Sequence, residues 1–153
     1  NFTFRNIGLE IFFEGLEGVR MYNNNLAETY FPINFRRNRY AEPILNRWTP
    51  TNPSNVYPSF ITPLSQGSRY INSSTVEDAS YLRLKTATLS YVLPKFKGFQ
   101  SVMVYVSGQN LWTLTDYKGM DPAVNPNGNT KLRIDWNAYP LATTYILGIK
   151  LGL

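Results

Sequence analysis

Four long runs of alternating apolar and polar residues, joined by one short and two very long connections, predict an all-β fold. The fold class is an antiparallel transmembrane β-barrel, of which this chain holds four strands. The runs lie at about residues 3–22, 81–93, 101–114 and 143–153. Each is longer than the roughly 5–6 residues typical of a soluble strand. Each also reaches the roughly 9–11 residues that a tilted strand needs to cross a bilayer.

In the first run Ile7, Leu9, Ile11 and Phe13 share one face, and Asn6, Gly8, Glu10 and Glu14 share the other. Phe12 is out of phase. Glu10, Glu14 and Glu17 also fit a helical repeat. Gly8, Gly15 and Gly18 oppose a helix, because each costs up to ~1 kcal/mol there, so a strand is predicted. A long connection, residues 23–80, follows and holds Pro32, Pro43, Pro50, Pro53, Pro58 and Pro63. Connections of this length are uncommon in compact domains unless they serve a function.

The second run sets Ala87, Leu89, Tyr91 and Leu93 against Thr86, Thr88 and Ser90. Arg83 and Lys85 carry the parity of its apolar face. They belong near the upper rim of the lipid face, unless a bulge exchanges the faces. PKFKGFQ, residues 94–100, is a short turn punctuated by Pro94 and Gly98. The third run sets Val102, Val104 and Val106 against Ser101, Ser107 and Gln109. A second long connection, residues 115–142, contains Pro122, Pro126, Pro140 and the turn pair Asn127–Gly128. In the last run Tyr145, Leu147, Ile149, Leu151 and Leu153 alternate with Thr144, Gly148, Lys150 and Gly152.

If the short turn is periplasmic, loops 23–80 and 115–142 are both extracellular and the chain ends on the periplasmic side. Tyr22, Tyr81, Trp112 and Tyr145 then mark an upper aromatic belt, and Phe4, Phe96 and Phe99 a lower one. Four strands do not close a barrel, since the smallest outer-membrane barrels have about eight. The chain is expected to be one part of a larger barrel or of an oligomeric one.

Composition narrows the chemistry. The 153 residues contain no His and no Cys. This excludes His-based triads, thiolate nucleophiles and the usual zinc sites. Glu10 and Glu14 lie roughly 14 Å apart along a strand, at ~3.4 Å per residue. A glycosidase carboxylate pair is closer, at roughly 5–9.5 Å. They read as lumen lining. No catalytic residue, metal site or cofactor is expected. Arg36, Arg37 and Arg39 beside Phe35 and Tyr40 suit single-stranded nucleic acid in residue type. With a net charge of +5, 16% charged residues and no wider basic stripe, no nucleic-acid partner is expected.

Several longer motifs stand in order: ILNRWTPTNPSNVYPS (44–59), VEDASYLRLKTATLSYVLPK (76–95), VYVSGQNLWTLTDYKGMDPAV (104–124) and YPLATTYILGIKLGL (139–153). Together they resemble the C-terminal end of the SusC/RagA family of TonB-dependent outer-membrane transporters, over about Leu9 to Leu153. The resemblance implies the last four strands of a 22-stranded, plugged barrel in the bacterial outer membrane. It implies a plug and a TonB-contacting segment in an N-terminal region absent from these residues. It also implies a SusD-like surface lipoprotein lid, surrounding lipid and lipopolysaccharide, and glycan or peptide substrates. Barrels of this kind commonly end in an aromatic residue, and Leu153 departs from that pattern.

Four residues are candidates for substrate or partner contact. Arg47 and Trp48 offer a planar cation and an aromatic face. Tyr117 and Asp121 stand with Gly119 and Pro122 in a loop start. Loop packing is the competing role for the first pair, and turn formation for the second. The expected function is to form wall and outer loops of an energised nutrient importer. A four-strand subunit of an oligomeric pore and a soluble carbohydrate-binding β-domain are the competing readings.

Overall fold

The computed structural model describes residues 1–30, 38–59, 73–94, 98–124 and 133–152. Phe35, Arg36, Arg37, Phe96, Asn127–Gly128 and Leu153 lie outside the described residues. In chain order the elements are β1 (Phe2–Phe4), β2 (Ile7–Leu16), β3 (Arg20–Asn23), α1 (Asn24–Tyr30), α2 (Ala41–Leu45), β4 (Val76–Asp78), β5 (Tyr81–Leu93), β6 (Ser101–Thr115), β7 (Arg133–Asp135) and β8 (Thr144–Gly152). They fall into two units. One comprises Asn1–Glu17, Tyr81–Thr115 and Leu141–Leu153, and the other Gly18–Ser80 and Asp116–Pro140.

The first unit is a five-stranded antiparallel sheet in the order β1-β2-β5-β6-β8. Its pairing keeps apolar residues together across strands. Ile7 faces Tyr91 and Leu9 faces Leu89. Tyr91 faces Val104 and Leu89 faces Val106. Val104 faces Ile149 and Val106 faces Leu147. The opposite face carries Glu10 beside Thr88, and Thr88 beside Ser107, with 2.7 Å between the two hydroxyl oxygens. The apolar face has no protein cover among the described residues. Leu147 is 84% exposed and Ile149 67%, whereas core residues of a soluble domain are buried.

Arg83 does not sit on that apolar face. Leu84 pairs with Trp112, but Thr86 pairs with Gln109. Lys85 therefore stands opposite two residues, Asn110 and Leu111, which is a β-bulge. Against β2 the count is reversed: Phe12 pairs with Thr86 and Phe13 with Leu84, so Lys85 of β5 is the extra residue. Because side chains alternate with a period of two, one inserted residue exchanges the faces. Leu82 and Leu84 move to the apolar face, and Arg83 joins Glu14 and Thr113 on the polar one. Arg83 Nε donates to Thr113 Oγ1 at 2.9 Å, and Lys85 Nζ is ion-paired with Glu14. Asn110 takes the left-handed backbone conformation, φ 51°, which Asn tolerates better than most residues. Its side-chain amide donates to Ala142 O at 3.0 Å, and its carbonyl accepts from Thr143 Oγ1 at 2.9 Å.

Residues 3–22 are divided among three strands instead of forming one. Arg5, at φ 53°, turns the chain into the β1–β2 hairpin, and Gly18, at φ 70°, turns it again before β3. Asn6 is the one turn-favouring residue there, and because it also fits the polar face of the run, the first break is invisible in the alternation. Two aromatics expected in a membrane belt are placed otherwise. Tyr22 is buried against the edge of the Trp136 ring, at 6.2 Å between centroids. Tyr81 is buried on the polar face, where its hydroxyl donates to Glu14 at 3.0 Å. Trp112 and Tyr145 are exposed on the apolar face, and Phe4 is exposed at the other end.

The second unit takes in most of both long connections. Neither is plain loop: residues 23–80 hold α1, α2 and β4, and 115–142 hold β7. β3 pairs antiparallel with β4 and parallel with β7, giving the order β4-β3-β7. Met21, Ala79 and Tyr117 form a small buried core with Val19 packed on it.

Asn110→Val is expected to destabilise the protein by about 1–2 kcal/mol, because a β-branched residue is strained at positive φ. The check is the urea midpoint of the refolded protein. Asn110→Gly at the same site should be tolerated better, since glycine adopts this conformation freely.

Candidate functional site

Asn23 organises the second unit. Its N–H donates to Thr75 O at 2.8 Å, its Oδ1 accepts from Leu26 N–H at 3.0 Å, and its Nδ2 donates to Glu77 Oε2 at 2.7 Å. The middle bond is an N-cap, worth roughly 1 kcal/mol. A seven-residue helix such as α1 is unstable alone. Here the cap and the buried Leu26 and Ala27 hold it, and Tyr30 stands at its end.

Glu42 lies in the first turn of α2, behind an extended Tyr40 and ahead of the buried Pro43. The chain then reverses through a Thr49–Asn52 bridge. Trp48 N–H donates to Tyr57 O at 3.1 Å, which brings Tyr57 back towards α2. The result is a clamp on one carboxylate. Tyr30 hydroxyl donates to Glu42 Oε2 at 2.8 Å, and Tyr57 hydroxyl donates to Glu42 Oε1 at 2.5 Å. The Tyr30 ring lies 6.1 Å from Tyr57 and 5.6 Å from Tyr40, centroid to centroid, within the range of favourable aromatic pairs.

The electrostatics follow from this geometry. The Tyr57 and Tyr30 hydroxyls hold the Glu42 carboxyl below its usual value, and Lys118 adds to the effect. Burial, and then the bond to Glu42, push the Tyr30 phenol up to about 12. The bond to Glu42, and then burial, raise Tyr57. Both phenols are thus fixed as donors over the ordinary pH range. Beside them opens a cavity of about 290 Å³ lined by Leu26, Tyr30, Val56, Tyr57, Ser73, Ser74, Glu77 and Lys118. No group of three or more acidic side chains converges as a metal site among the described residues. Among the described residues the lining combines aromatic and aliphatic surface with the polar Ser73, Ser74, Glu77 and Lys118, a mixture suited to binding.

The four residues singled out from sequence lie outside this lining. Arg47 Nη1 donates to Ile44 O at 2.5 Å, and Trp48 is 41% exposed at the start of the reversal. Tyr117 is buried, and its hydroxyl donates to Asp135 Oδ2 at 2.8 Å. Burial, and then Asp135, raise its phenol well beyond the ordinary range. Gly119 permits this packing, because a Cβ there would overlap the Tyr117 ring. Asp121 is buried in a turn, where Oδ1 accepts from Ala123 N–H at 2.8 Å. Tyr30, Glu42 and Tyr57 were not singled out. They are 12 and 15 residues apart, and nothing periodic links them. The one available signal was that Tyr57 lies inside the 44–59 motif.

An antiparallel sheet with a bare apolar face and a polar opposite face defines a wall segment of a membrane β-barrel. No family model matches the chain. It is 33% identical over 158 residues to TonB-dependent receptor P3 of Formosa agariphila, an alignment covering 97% of this chain and 15% of that receptor. It is 37% identical over 93 residues to TonB-dependent receptor SusC of Bacteroides thetaiotaomicron, covering 58% of this chain and 9% of SusC. Among solved structures it is similar to the RagAB peptide transporter, with a TM-score of 0.80, 29% identity, and 97% of this chain against 16% of that one. The chain belongs to the TonB-dependent receptors of the SusC/RagA kind. It spans about a sixth of the length of these receptors, 15% of P3 and 16% of the RagAB chain.

Two outcomes test this geometry. Tyr117→Phe should cost about 1–3 kcal/mol, the penalty for leaving a buried acceptor unsatisfied at Asp135, and denaturant unfolding of the parent protein measures it. The clamp has a defined pH window. The Glu42 carboxyl is depressed, so its stabilisation is complete above the ordinary carboxylate pKa of ~4.3 and is lost as pH falls through the lower folded value. The Tyr30 phenol is raised, so its share is complete below the ordinary ~10 and is lost as pH rises through about 12. Site-resolved tyrosine NMR should show Tyr30 titrating late, and Glu42→Gln should bring that titration towards the ordinary value.

Proposed function

We propose that this chain forms the C-terminal wall and two outer loops of an energised importer in a bacterial outer membrane. The observation that carries this reading is the sheet's uncovered apolar face, on which Leu147, Tyr145 and Ile149 of β8 all stand exposed. In water such a face needs a partner. In a bilayer, lipid covers it, and the polar face lines the lumen. Leu16, Tyr81 and Thr115 are register partners, so the chain leaves and re-enters the sheet at one end for both insertions. On this reading that end is extracellular, and Trp112 and Tyr145 meet the outer headgroups.

The whole transporter then takes up glycans or peptides. A surface lipoprotein of the SusD type covers its mouth, and TonB drives a plug contributed by other residues of the parent protein. The RagAB structures are named for peptide import, and the likeness to RagAB and to SusC supports import as the class of activity. This segment contributes wall and binding surface and performs no bond chemistry. Arg47 and Trp48 supply partly exposed contact groups in the outer loops. Tyr117 and Asp121 act behind them, by holding the loop backbone through the bonds to Asp135 and Ala123.

The membrane face makes a sharp test. Leu147→Arg should destabilise the barrel by ~2–4 kcal/mol if that position lies at mid-bilayer. Ile146→Arg, on the opposite face beside Ser107, should cost far less. Comparable costs at both positions, measured by folding into lipid vesicles, would remove the lipid-facing assignment. Uptake of substrate by cells carrying the intact parent should stop when TonB is deleted. A parent that fractionates as a soluble periplasmic protein would falsify the reading.

A further inference from the structure

At the end of the wall opposite the two insertions, every charged residue is basic. Register places residues 1–9, 89–106 and 147–153 together there: Leu9 faces Leu89, Leu89 faces Val106, and Val106 faces Leu147. These segments carry Arg5, Lys95, Lys97 and Lys150 and no Asp or Glu. Towards the other end the strands hold both signs, with Glu10, Glu14, Arg83 and Lys85. Lys150 pairs with Met103 on the polar face, and Lys95 and Lys97 lie outside the described residues. Arg5 is the cation that the structure places on the apolar side.

Arg5 occupies an unfavourable backbone position. It stands in a two-residue turn between the register partners Phe4 and Ile7, at φ 53°. Such turns favour Gly, Asn or Asp at positive φ. The backbone gives no reason for an arginine here, and the side chain does. Phe2 and Phe4 pair with Leu9 and Ile7, so both share the apolar face, and both are exposed. The Arg5 guanidinium lies over the Phe4 ring, 5.4 Å from its centroid. The ring thus holds the cation at the lipid side of the wall, within the terminal turn. Stacking uses the flat face of a guanidinium, whereas its N–H donors lie in the plane and suit a bidentate phosphate. Val92 N–H donates to Asn6 O at 2.8 Å, which pins the turn to β5.

We propose that Phe2, Phe4 and Arg5 form a binding site for an anionic phospholipid of the periplasmic leaflet. The phosphate meets Arg5, and the acyl chain begins along Phe4 and Phe2. Charge complementarity selects the headgroup: a lipid of net negative charge matches a rim without acidic residues, whereas a zwitterionic lipid also brings a cation. Continuity with the lipid-facing surface selects a lipid over a soluble anion, because the guanidinium is anchored on that surface. The leaflet follows from the short turns, which lie on the periplasmic side of such barrels. This site rests on the membrane-wall reading, which a probe at position 112 tests independently.

The test places p-benzoylphenylalanine at position 2 of the intact receptor, in nanodiscs of equimolar phosphatidylglycerol and phosphatidylcholine. Mass spectrometry of the photoadducts is the readout. The same probe at position 112, at the other end of the apolar face, is the reference. Phosphatidylglycerol adducts at position 2 should exceed the bulk ratio roughly fivefold, as for one cation at an anionic lipid surface. Arg5→Gly should return the adducts to the bulk ratio while the barrel still folds by heat-modifiable gel mobility, since glycine relieves the turn. Arg5→Lys, which keeps the charge and loses the planar fork, should retain part of the enrichment. The ratio at position 112 should respond to neither substitution. Adducts at the bulk ratio with Arg5 in place, or an enrichment that survives Arg5→Gly, overturn the site and leave the lipid-facing wall standing. In native outer membranes the adduct at position 2 should be a phospholipid, and a lipopolysaccharide or protein adduct there overturns the proposal. Absence of lipid adducts at both positions would remove the wall reading as well.

Discussion

Arg83 and Lys85 fall among leucines and tyrosines in a strand whose partners present an apolar face. Without an irregularity both charges would lie on the apolar face close to its upper rim, at a cost of ~0–1 kcal/mol each near the interface and more with depth. The irregularity at Lys85, which is the extra residue against β2 and stands opposite Asn110 and Leu111 of β6, removes that conflict. It turns Arg83 to the polar face, where Thr113 receives its Nε–H, and sets Lys85 beside Glu14. It also moves Leu82 and Leu84 to the apolar face, so the lipid-facing surface stays continuous to the end of β5. The left-handed backbone of Asn110 is the local cost, and its bonds to Ala142 and Thr143 tie the start of β8 to the bulge. The two-faced character of the sheet depends on this arrangement.

The second unit meets a different constraint. Loop backbone that is buried must still find hydrogen-bond partners. Here the two long connections supply them to each other. β3 from the first pairs in parallel with β7 from the second. Asn23 then serves three groups at once, a β4-side carbonyl, the α1 N-terminus and Glu77. Tyr117 and Asp135 fasten the second connection to itself. The apolar core is small, Met21, Ala79 and Tyr117 with Val19, so polar ties of this kind bear much of the order.

That scaffold explains how a cavity arises in segments with little regular structure. A single carboxylate, Glu42, takes both tyrosine hydroxyls and turns two flexible side chains into a fixed wall. The same bonds engage the hydroxyl donors of both tyrosines, so that their rings present carbon faces. The wall strands meet the membrane through composition and alternation, whereas the loop unit acquires its chemistry from contacts between residues distant in sequence.

How much of this is legible without the fold varies by feature, for a physical reason. Alternation of side chains is a local property of extended backbone, so the four runs, their two faces and their membrane-crossing length can be read from residues such as Ile7, Leu89, Val104 and Leu147. The motifs likewise carry the family. The turn at Arg5–Asn6 carries only the single mark of Asn6, which also fits the alternation, so the first run does not reveal its division into β1, β2 and β3. The parity of Arg83 raised the possibility of a bulge, but its place is set by pairing with Trp112 and Gln109. Tyr22, Tyr81, Tyr117 and Asp121 have the residue types of belts and contact loops, and only their neighbours reveal them as buried. The Glu42 clamp depends on where α1, α2 and the Thr49–Asn52 reversal bring three separated residues. Period and length are properties of the chain by itself, so the sequence alone determined a two-faced wall. Burial, pairing register and the cavity beside Glu42 are properties of what each residue meets, so only the tertiary structure decided them.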